Sequence, residues 1–303
     1  MQRGSAAKPR LGISRETIGL MLGGVGVLIF GGTLPATRIA LGTFSPWFIT
    51  YGRAAVGTAC AVVILLLLRR SFPRKHAGAL LAAGLLLAVG FPGFSSVAMQ
   101  TVPAAHGGVV LGLLPLSTSV FAALLAGERP SPLFWICGIV GAALVVTFAA
   151  RDSGMSLSAG DLWLFAAVLS SGLGYVISGR LSRVMPGWEV ICWALVMSAP
   201  ATIAGVIWTW SPEYINASGA PLAAFAYLGL FSMFLGFFAW NGGLAMGGIA
   251  RVSQVQLLQP FVTIAISAAL IGEHVSLETL AFAVLVVGTV AAGRKARVAI
   301  RAS

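Results

Sequence analysis

Long apolar runs separated by short polar breaks dominate this chain of 303 residues. Each run is close to the ~20 residues that a helix needs to cross the hydrocarbon core of a bilayer. Barrel strands would be shorter and would alternate apolar and polar positions, so the runs predict helices. The ten predicted spans are residues 18–40, 46–68, 77–99, 104–126, 132–150, 161–183, 187–209, 220–244, 249–271 and 277–293.

The basic residues predict how these spans are oriented. Lys and Arg collect in the two tails and in every second connection, and only Arg38, Arg53 and Arg151 fall elsewhere. Cytoplasmic loops carry an excess of Lys and Arg, so both termini are predicted to be cytoplasmic and the number of spans even. The first apolar run is too long for a signal peptide and lacks a good cleavage site, so no cleavable signal is expected.

One segment occurs twice in the chain. The sequence PLSTSVFAALLAGE at 115–128 returns as PFVTIAISAALIGE at 260–273, at the ends of the fourth and ninth spans. Each half therefore holds five spans, and an odd number of crossings turns the second half upside down relative to the first. Inverted repeats are typical of carriers, whose halves exchange conformations around one central site.

The predicted architecture is an all-α integral membrane protein with ten transmembrane helices in two inverted five-helix repeats. Its segments are a cytoplasmic tail (1–17), a first repeat (18–150), an extracytoplasmic linker (151–160), a second repeat (161–293) and a basic cytoplasmic tail (294–303). One half cannot bury its inner face alone, so a single complete chain is expected to suffice as the functional unit.

The five-plus-five layout and the paired proline-to-glutamate segments resemble the drug/metabolite transporter superfamily, with its EamA-type repeats, over nearly the whole chain. In the eighth span, FFAWNGGLAMGG (237–248) resembles the corresponding segment of the YddG-type exporters of aromatic amino acids. The resemblance implies a bacterial inner-membrane carrier that exports or facilitates transport of aromatic or hydrophobic amino acids and similar small metabolites.

Two alternatives stay open at this point: a permease for another solute, such as a nucleoside, a polyol or an amphipathic drug, and a membrane enzyme or assembly factor. The three histidines are scattered without metal-ligand spacing, and no Walker loop is present, so no catalytic residue, metal or cofactor is expected. The net charge of +11 lies at span ends, so nucleic acid is not an expected partner. The expected partners are a small-molecule substrate and the lipid bilayer.

The candidate substrate-binding residues are polar or aromatic side chains in spans that also carry prolines or polar groups. Polar groups at membrane depth usually face the protein interior, and aromatic rings offer stacking surfaces to a ligand. Each type also has an alternative role that does not involve substrate. For the glutamines it is hydrogen bonding between helices, for the histidine it is capping of a helix end, and for the tryptophan of the sixth span it is a position at the membrane interface. The candidates are Trp240, Asn241, Gln254, Gln259, Phe91, Phe94, His106, Tyr175, Phe238 and Trp163.

Four prolines inside spans are candidate hinges or gates, namely Pro35, Pro92, Pro115 and Pro260. Proline frees a carbonyl of the preceding turn, and in lipid that carbonyl must find a partner or line a wet cavity. The breaks therefore predict a central pocket with gates, and the alternative for each proline is a packing kink.

The charged residues refine the mechanism. All eight acids fall in loops or at span ends, which argues against proton coupling through an embedded carboxylate and favours facilitated diffusion or exchange. Arg38 and Arg53 either receive the carboxylate of an amino acid or hold helix ends by pairing with carbonyls. Glu128 and Glu273 are expected to cap or lock helix ends.

Overall fold

The computed structural model describes residues 14–126, 128–130, 132–152, 157–247, 252, 255–295 and 298–300. Within them, seven helices are long and apolar enough to cross a membrane: Arg15–Ala40, Pro46–Leu67, Arg74–Ala98, Ala104–Leu125, Ala159–Leu181, Gly187–Thr209 and Gly219–Gly247. Shorter apolar helices at Trp135–Phe148, Val255–Ile271 and Leu277–Thr289 occupy the positions of predicted spans five, nine and ten. The multi-pass helical fold is confirmed, and the count of ten crossings stays a prediction.

Five of the predicted spans are continuous helices. Span two begins where Ser45 Oγ accepts the N–H of Phe48 at 3.2 Å, and span six begins where Ser158 and Asp161 form a capping box. These side chains satisfy N–H groups that a helix start otherwise leaves unpaired. The continuous helices are Pro46–Leu67, Pro132–Asp152, Ala159–Leu181, Gly187–Thr209 and Leu277–Lys295.

Spans one, four and nine are interrupted just before a proline. Pro35, Pro115 and Pro260 each lie in the first turn of a helical piece, where the missing N–H costs nothing. Their hinge role stays a prediction. The pieces are Arg15–Gly31 and Thr33–Ala40, Ala104–Leu111 and Leu114–Ala126, and the 3-10 turn Val255–Leu258 with Gln259–Ile271.

Spans three and eight, the third span of each half, both widen into π-helical turns. In span three the turn is Leu85–Gly90, two residues before Pro92, and in span eight the turn is Leu228–Leu235. Such turns are rare and frequently accompany functional sites. Their α-helical flanks are Ala77–Gly84 and Phe91–Ala98 in span three, and Gly219–Tyr227 and Gly236–Gly247 in span eight.

Every span packs against a span of the other half: one with eight, two with seven, three with six, four with nine and five with ten. The partners are antiparallel. In the first pair, Gly19 near one end lies against Gly247, and Thr33 further along bonds Ser232. A twofold rotation that exchanges the halves moves span one onto span six and span eight onto span three, so it exchanges pair one–eight with pair three–six. The same rotation moves each of the other three pairs onto itself. This pairing is what an inverted repeat requires.

Short elements lie at the span ends. The 3-10 turns Arg74–His76 and Pro212–Asn216 precede spans three and eight, and the strands Glu128–Pro130 and Val298–Ile300 pair antiparallel. This strand pair is the one departure from the all-helical prediction in the described residues. It places the ends of spans four and ten at one face, called the basic end below; the opposite face is the far end. Whether the basic end faces the cytoplasm stays a prediction.

The outer surface of the bundle is apolar. Leu66 is 72% exposed, Ile207 74% and Trp208 76%. Soluble monomers rarely expose large contiguous apolar patches, so this surface fits lipid contact.

Candidate functional site

A small cavity lies between the two halves of the bundle. Its free volume is about 10 Å³, room for a single water molecule, and all of its lining residues except Phe91 are buried. In this arrangement the cavity is too small to hold an amino acid. The lining residues are Phe30, Thr33, Arg53, Leu87, Phe91, Ser171, Tyr175, Ser232, Met233, Phe237 and Gln259.

Arg53 supplies the charge in this cavity. It lies two helical turns into span two and is 1% exposed. Its Nη2 donates to Ser232 Oγ at 2.6 Å, and that oxygen lies 2.7 Å from Thr33 Oγ1, so Ser232 joins spans one, two and eight. Arg53 Nε and Nη1 have no hydrogen-bond partner in the described part of the chain. A buried charge left without compensation costs about 3–5 kcal/mol.

The second intramembrane arginine has a different environment. Arg38 Nη1 donates to the carbonyls of Met99 and Val102, both at 2.9 Å, and so holds the end of span three. Of the two roles that the sequence left open for these arginines, helix-end pairing applies to Arg38. Arg53 faces the cavity instead and was absent from the set of candidate binding residues; an arginine well inside an apolar run was the available signal.

Three of the candidate binding residues, Phe91, Tyr175 and Gln259, do line the cavity. Gln259 Oε1 is buried without a partner among the described residues. The rings of Phe30 and Phe237 lie 5.0 Å apart, and Tyr175 lies 6.3 Å from Phe237. The cavity lining therefore combines aromatic rings with polar side chains.

Trp240 lies behind this aromatic wall and is not a lining residue. It is 1% exposed, and its ring centroid is 6.2 Å from Phe30 and 5.7 Å from Tyr175. Its position supports the two rings that face the cavity.

Asn241 joins three spans at the basic end. Its Oδ1 accepts from Ser178 Oγ at 3.1 Å, and its Nδ2 donates to the carbonyl of Gly187 at 3.0 Å. Both ends of the amide are thus engaged in contacts between spans six, seven and eight. The neighbouring Phe238 packs outside the lining, against Phe234 and Trp188.

The remaining described candidates lie at the far end. His106 Nε2 is 2.8 Å from Asp161 Oδ1, which links span four to span six. Phe94 stacks on Trp163 at 5.7 Å, and Trp163 is 39% exposed. None of these residues lines the cavity. Gln254 lies outside the described residues.

Glu273 closes the repeat segment at the far end as a helix cap. Gly272 ends span nine with a φ of 68°, a conformation that glycine adopts without strain. The chain turns there, and Glu273 Oε1 and Oε2 accept the N–H groups of Ala104 and Ala105 at 2.8 Å each. The predicted cap is confirmed for Glu273; the side chain of Glu128 lies outside the described part.

The described ranges contain no cluster of three or more His, Cys, Asp or Glu side chains that could hold a metal ion. The chemistry available at the cavity is therefore that of hydrogen bonding, a fixed positive charge and aromatic contact.

Comparison with known proteins identifies the architecture. The EamA-like transporter family matches residues 17–149 and 158–292, one match in each half. The chain is 42% identical over 285 residues to "Uncharacterized transporter YdeK" of Bacillus subtilis (strain 168), covering 93% of this chain and 99% of that protein. It is 26% identical over 275 residues to "Uncharacterized transporter YyaM" of the same organism, covering 87% of this chain and 89% of that protein.

The fold is also that of a solved structure described as "Crystal structure of protein", with a TM-score of 0.66 and 24% identity over 92% of this chain and 99% of that one. Two family matches, one in each of two antiparallel halves, agree with the two-repeat bundle built above. The chain is a multi-pass integral membrane protein and belongs to the EamA-like transporter family.

Proposed function

We propose that this chain is a carrier of the bacterial inner membrane that moves aromatic or hydrophobic amino acids, and similar small metabolites, by alternating access. The observation that carries the proposal is the small cavity between the two inverted halves, lined by aromatic rings and by polar side chains. Midplane sites between inverted repeats are where carriers bind their substrates.

The lining matches the two parts of such a solute. Phe30, Tyr175 and Phe237 offer ring faces to an apolar side chain, and an aromatic pair contributes about 0.5–1.5 kcal/mol beyond area burial. Gln259 Oε1 is an unpartnered acceptor for the N–H groups of an ammonium. No lining residue is acidic, so a purely cationic solute finds no counter-charge in the described cavity.

The closed state fits a step between two open ones. The cavity holds about one water molecule, so an amino acid enters only after the walls part. At the far end Glu273 ties span nine to span four, and at the basic end Arg70, just after span two, pairs with Glu189 of span seven. In alternating access one set of contacts opens while the other holds, and substrate binding shifts the balance between the states.

The test is uptake of radiolabelled phenylalanine or tryptophan by purified protein in liposomes, with and without an imposed pH gradient. We expect saturable uptake that the gradient does not change, since no carboxylate lines the described cavity. Gln259→Ala should raise KM, and the control Gln100→Ala, at an exposed position, should leave it unchanged.

Uptake no greater than in empty liposomes, with the protein shown to be folded, would contradict an amino acid substrate. Inhibition by a nucleoside, a polyol or an amphipathic drug, together with its own saturable flux, would assign that solute instead. Uptake driven by the pH gradient would keep the substrate and overturn the uncoupled mechanism.

A further inference from the structure

The guanidinium of Arg53 is a positive charge without a counter-charge in the closed cavity. It is 1% exposed, and its single hydrogen bond in the described structure is to the neutral hydroxyl of Ser232. Nε and Nη1 are buried without partners among the described residues. Guanidinium is protonated near neutral pH, so the cavity carries a positive charge.

Isolated charges within the membrane are costly and usually serve a function. Arg38 shows how this fold satisfies an arginine that serves packing alone, because it donates to two backbone carbonyls. Arg53 has no carbonyl partner in the described part, and its side chain lines the cavity. A group that enters the cavity can therefore supply the missing partner.

We propose that Arg53 binds the carboxylate of the transported solute, an inference that rests on the proposed carrier function and names the chemical group that its site selects. Carboxylate is the partner that best matches guanidinium, through short charge-assisted hydrogen bonds. One guanidinium balances one negative charge. A dianionic phosphate would leave an excess charge among the apolar walls of Phe30, Leu87 and Met233.

The site also accounts for selection between related solutes. A monocarboxylate neutralises Arg53. A zwitterionic amino acid pairs its carboxylate with Arg53 and its ammonium with the unpartnered Gln259 Oε1, so the net charge of the cavity is unchanged. An amine or an amide with the same side chain leaves Arg53 uncompensated, and an amine adds a second positive charge. The solute class is thus defined by its carboxylate, with the aromatic wall adding a preference for the side chain.

The experiment measures thermal unfolding of the purified full-length protein with four probes: phenylalanine, 3-phenylpropanoate, phenylalanine amide and 2-phenylethylamine. A series of aliphatic monocarboxylates is measured beside them. We expect the carboxylates to raise the melting temperature and the amide and amine to leave it unchanged. In Arg53→Met the apparent affinity for carboxylates should fall about tenfold or more, as expected when a charged hydrogen bond is lost.

The same variant separates a binding role from a structural one. Removal of an uncompensated charge should leave the melting temperature without ligand unchanged or higher, whereas loss of a structural contact should lower it. Arg53→Lys keeps the charge and should retain part of the carboxylate response. The matched control Arg38→Met should lower the melting temperature without ligand and keep the full carboxylate response.

Two outcomes overturn the inference: a carboxylate response that survives in Arg53→Met, or equal stabilisation by the amine and the carboxylate. Absence of any response to a monocarboxylate in the folded wild-type protein overturns it as well. An Arg53-dependent response restricted to aliphatic carboxylates supports the inference and contradicts the aromatic substrate of the proposed function.

Discussion

Glu273 Oε1 accepts the backbone N–H of Ala104 at 2.8 Å, so a carboxylate at the end of span nine holds the first turn of span four. The contact joins the two halves of the chain and uses the favourable field of a helix N-terminus. The nearby pair of His106 and Asp161 fixes the same turn to span six. The far end is therefore closed by polar contacts between helix ends.

Glu273→Gln should lower the free energy of unfolding by about 1–2 kcal/mol, because the amide loses the charge and one of the two acceptors. The matched control is Glu278→Gln, since Glu278 pairs with Arg151 where both side chains are about half exposed. Exposed ion pairs contribute about 0–1 kcal/mol. Melting temperatures of the purified proteins make the comparison, and equal losses in the two variants would contradict the capping role.

Gly19→Ala should destabilise the pairing of spans one and eight, because an added methyl group would collide with the backbone of Gly247. Overpacking of this kind costs about 1–3 kcal/mol. Gly24 in the same helix faces open space, and Gly24→Ala should be neutral or stabilising. The measurement is the melting temperature in detergent; a neutral Gly19→Ala would show that the two spans lie further apart.

Trp240→Ala should cost about 3–5 kcal/mol of stability, because it removes a buried ring that supports Phe30 and Tyr175. Trp240→Phe should lose less. The control is Trp208→Ala, whose side chain is 76% exposed and should be close to neutral. Thermal unfolding and liposome uptake are measured together, and a higher KM with unchanged stability would make Trp240 a direct substrate contact instead.

Asn241→Leu should destabilise the basic end, because the carbonyl of Gly187 and the hydroxyl of Ser178 both lose their bond to the amide. Each buried polar group left unsatisfied costs about 1–3 kcal/mol. The folded fraction should keep its KM, since Asn241 does not line the cavity. The readouts are melting temperature and KM, with the exposed Gln100→Leu as control. A raised KM at constant stability would contradict the packing role.

The helical fold and its inverted halves could be predicted because lipid leaves few alternatives. Apolar runs of spanning length must form helices. The repeat that ends at Glu273 showed that the halves correspond, and its position predicted a helix cap; that the capped helix begins at Ala104 came from the structure. The π-helical turns of spans three and eight could not be predicted from the sequence, because one extra residue in a helical turn does not change the apolar pattern of the run.

The sequence predicted which types of residue form the candidate site better than it predicted how they are arranged. Tyr175 and Gln259 line the cavity, but Asn241 has the same polarity and bonds only neighbouring helices. Distinguishing them requires the direction of each side chain around its helix, which depends on how the two halves pack. For Arg53 the sequence left a carboxylate-binding role and a helix-end role both open, because distance along the chain does not show which face of span two meets the cavity.

The separation of Arg53 from Ser232 along the chain has a consequence for biosynthesis. Ser232 follows Arg53 by 179 residues. At synthesis rates of about 5–20 residues per second, roughly 9–36 s pass before the hydroxyl is made. During that time Arg53 lacks the hydroxyl that it bonds in the finished fold, and a long side chain two turns from the helix start is expected to reach toward the headgroups. We therefore expect its burial to be a late step in assembly of the newly made chain, when span eight arrives.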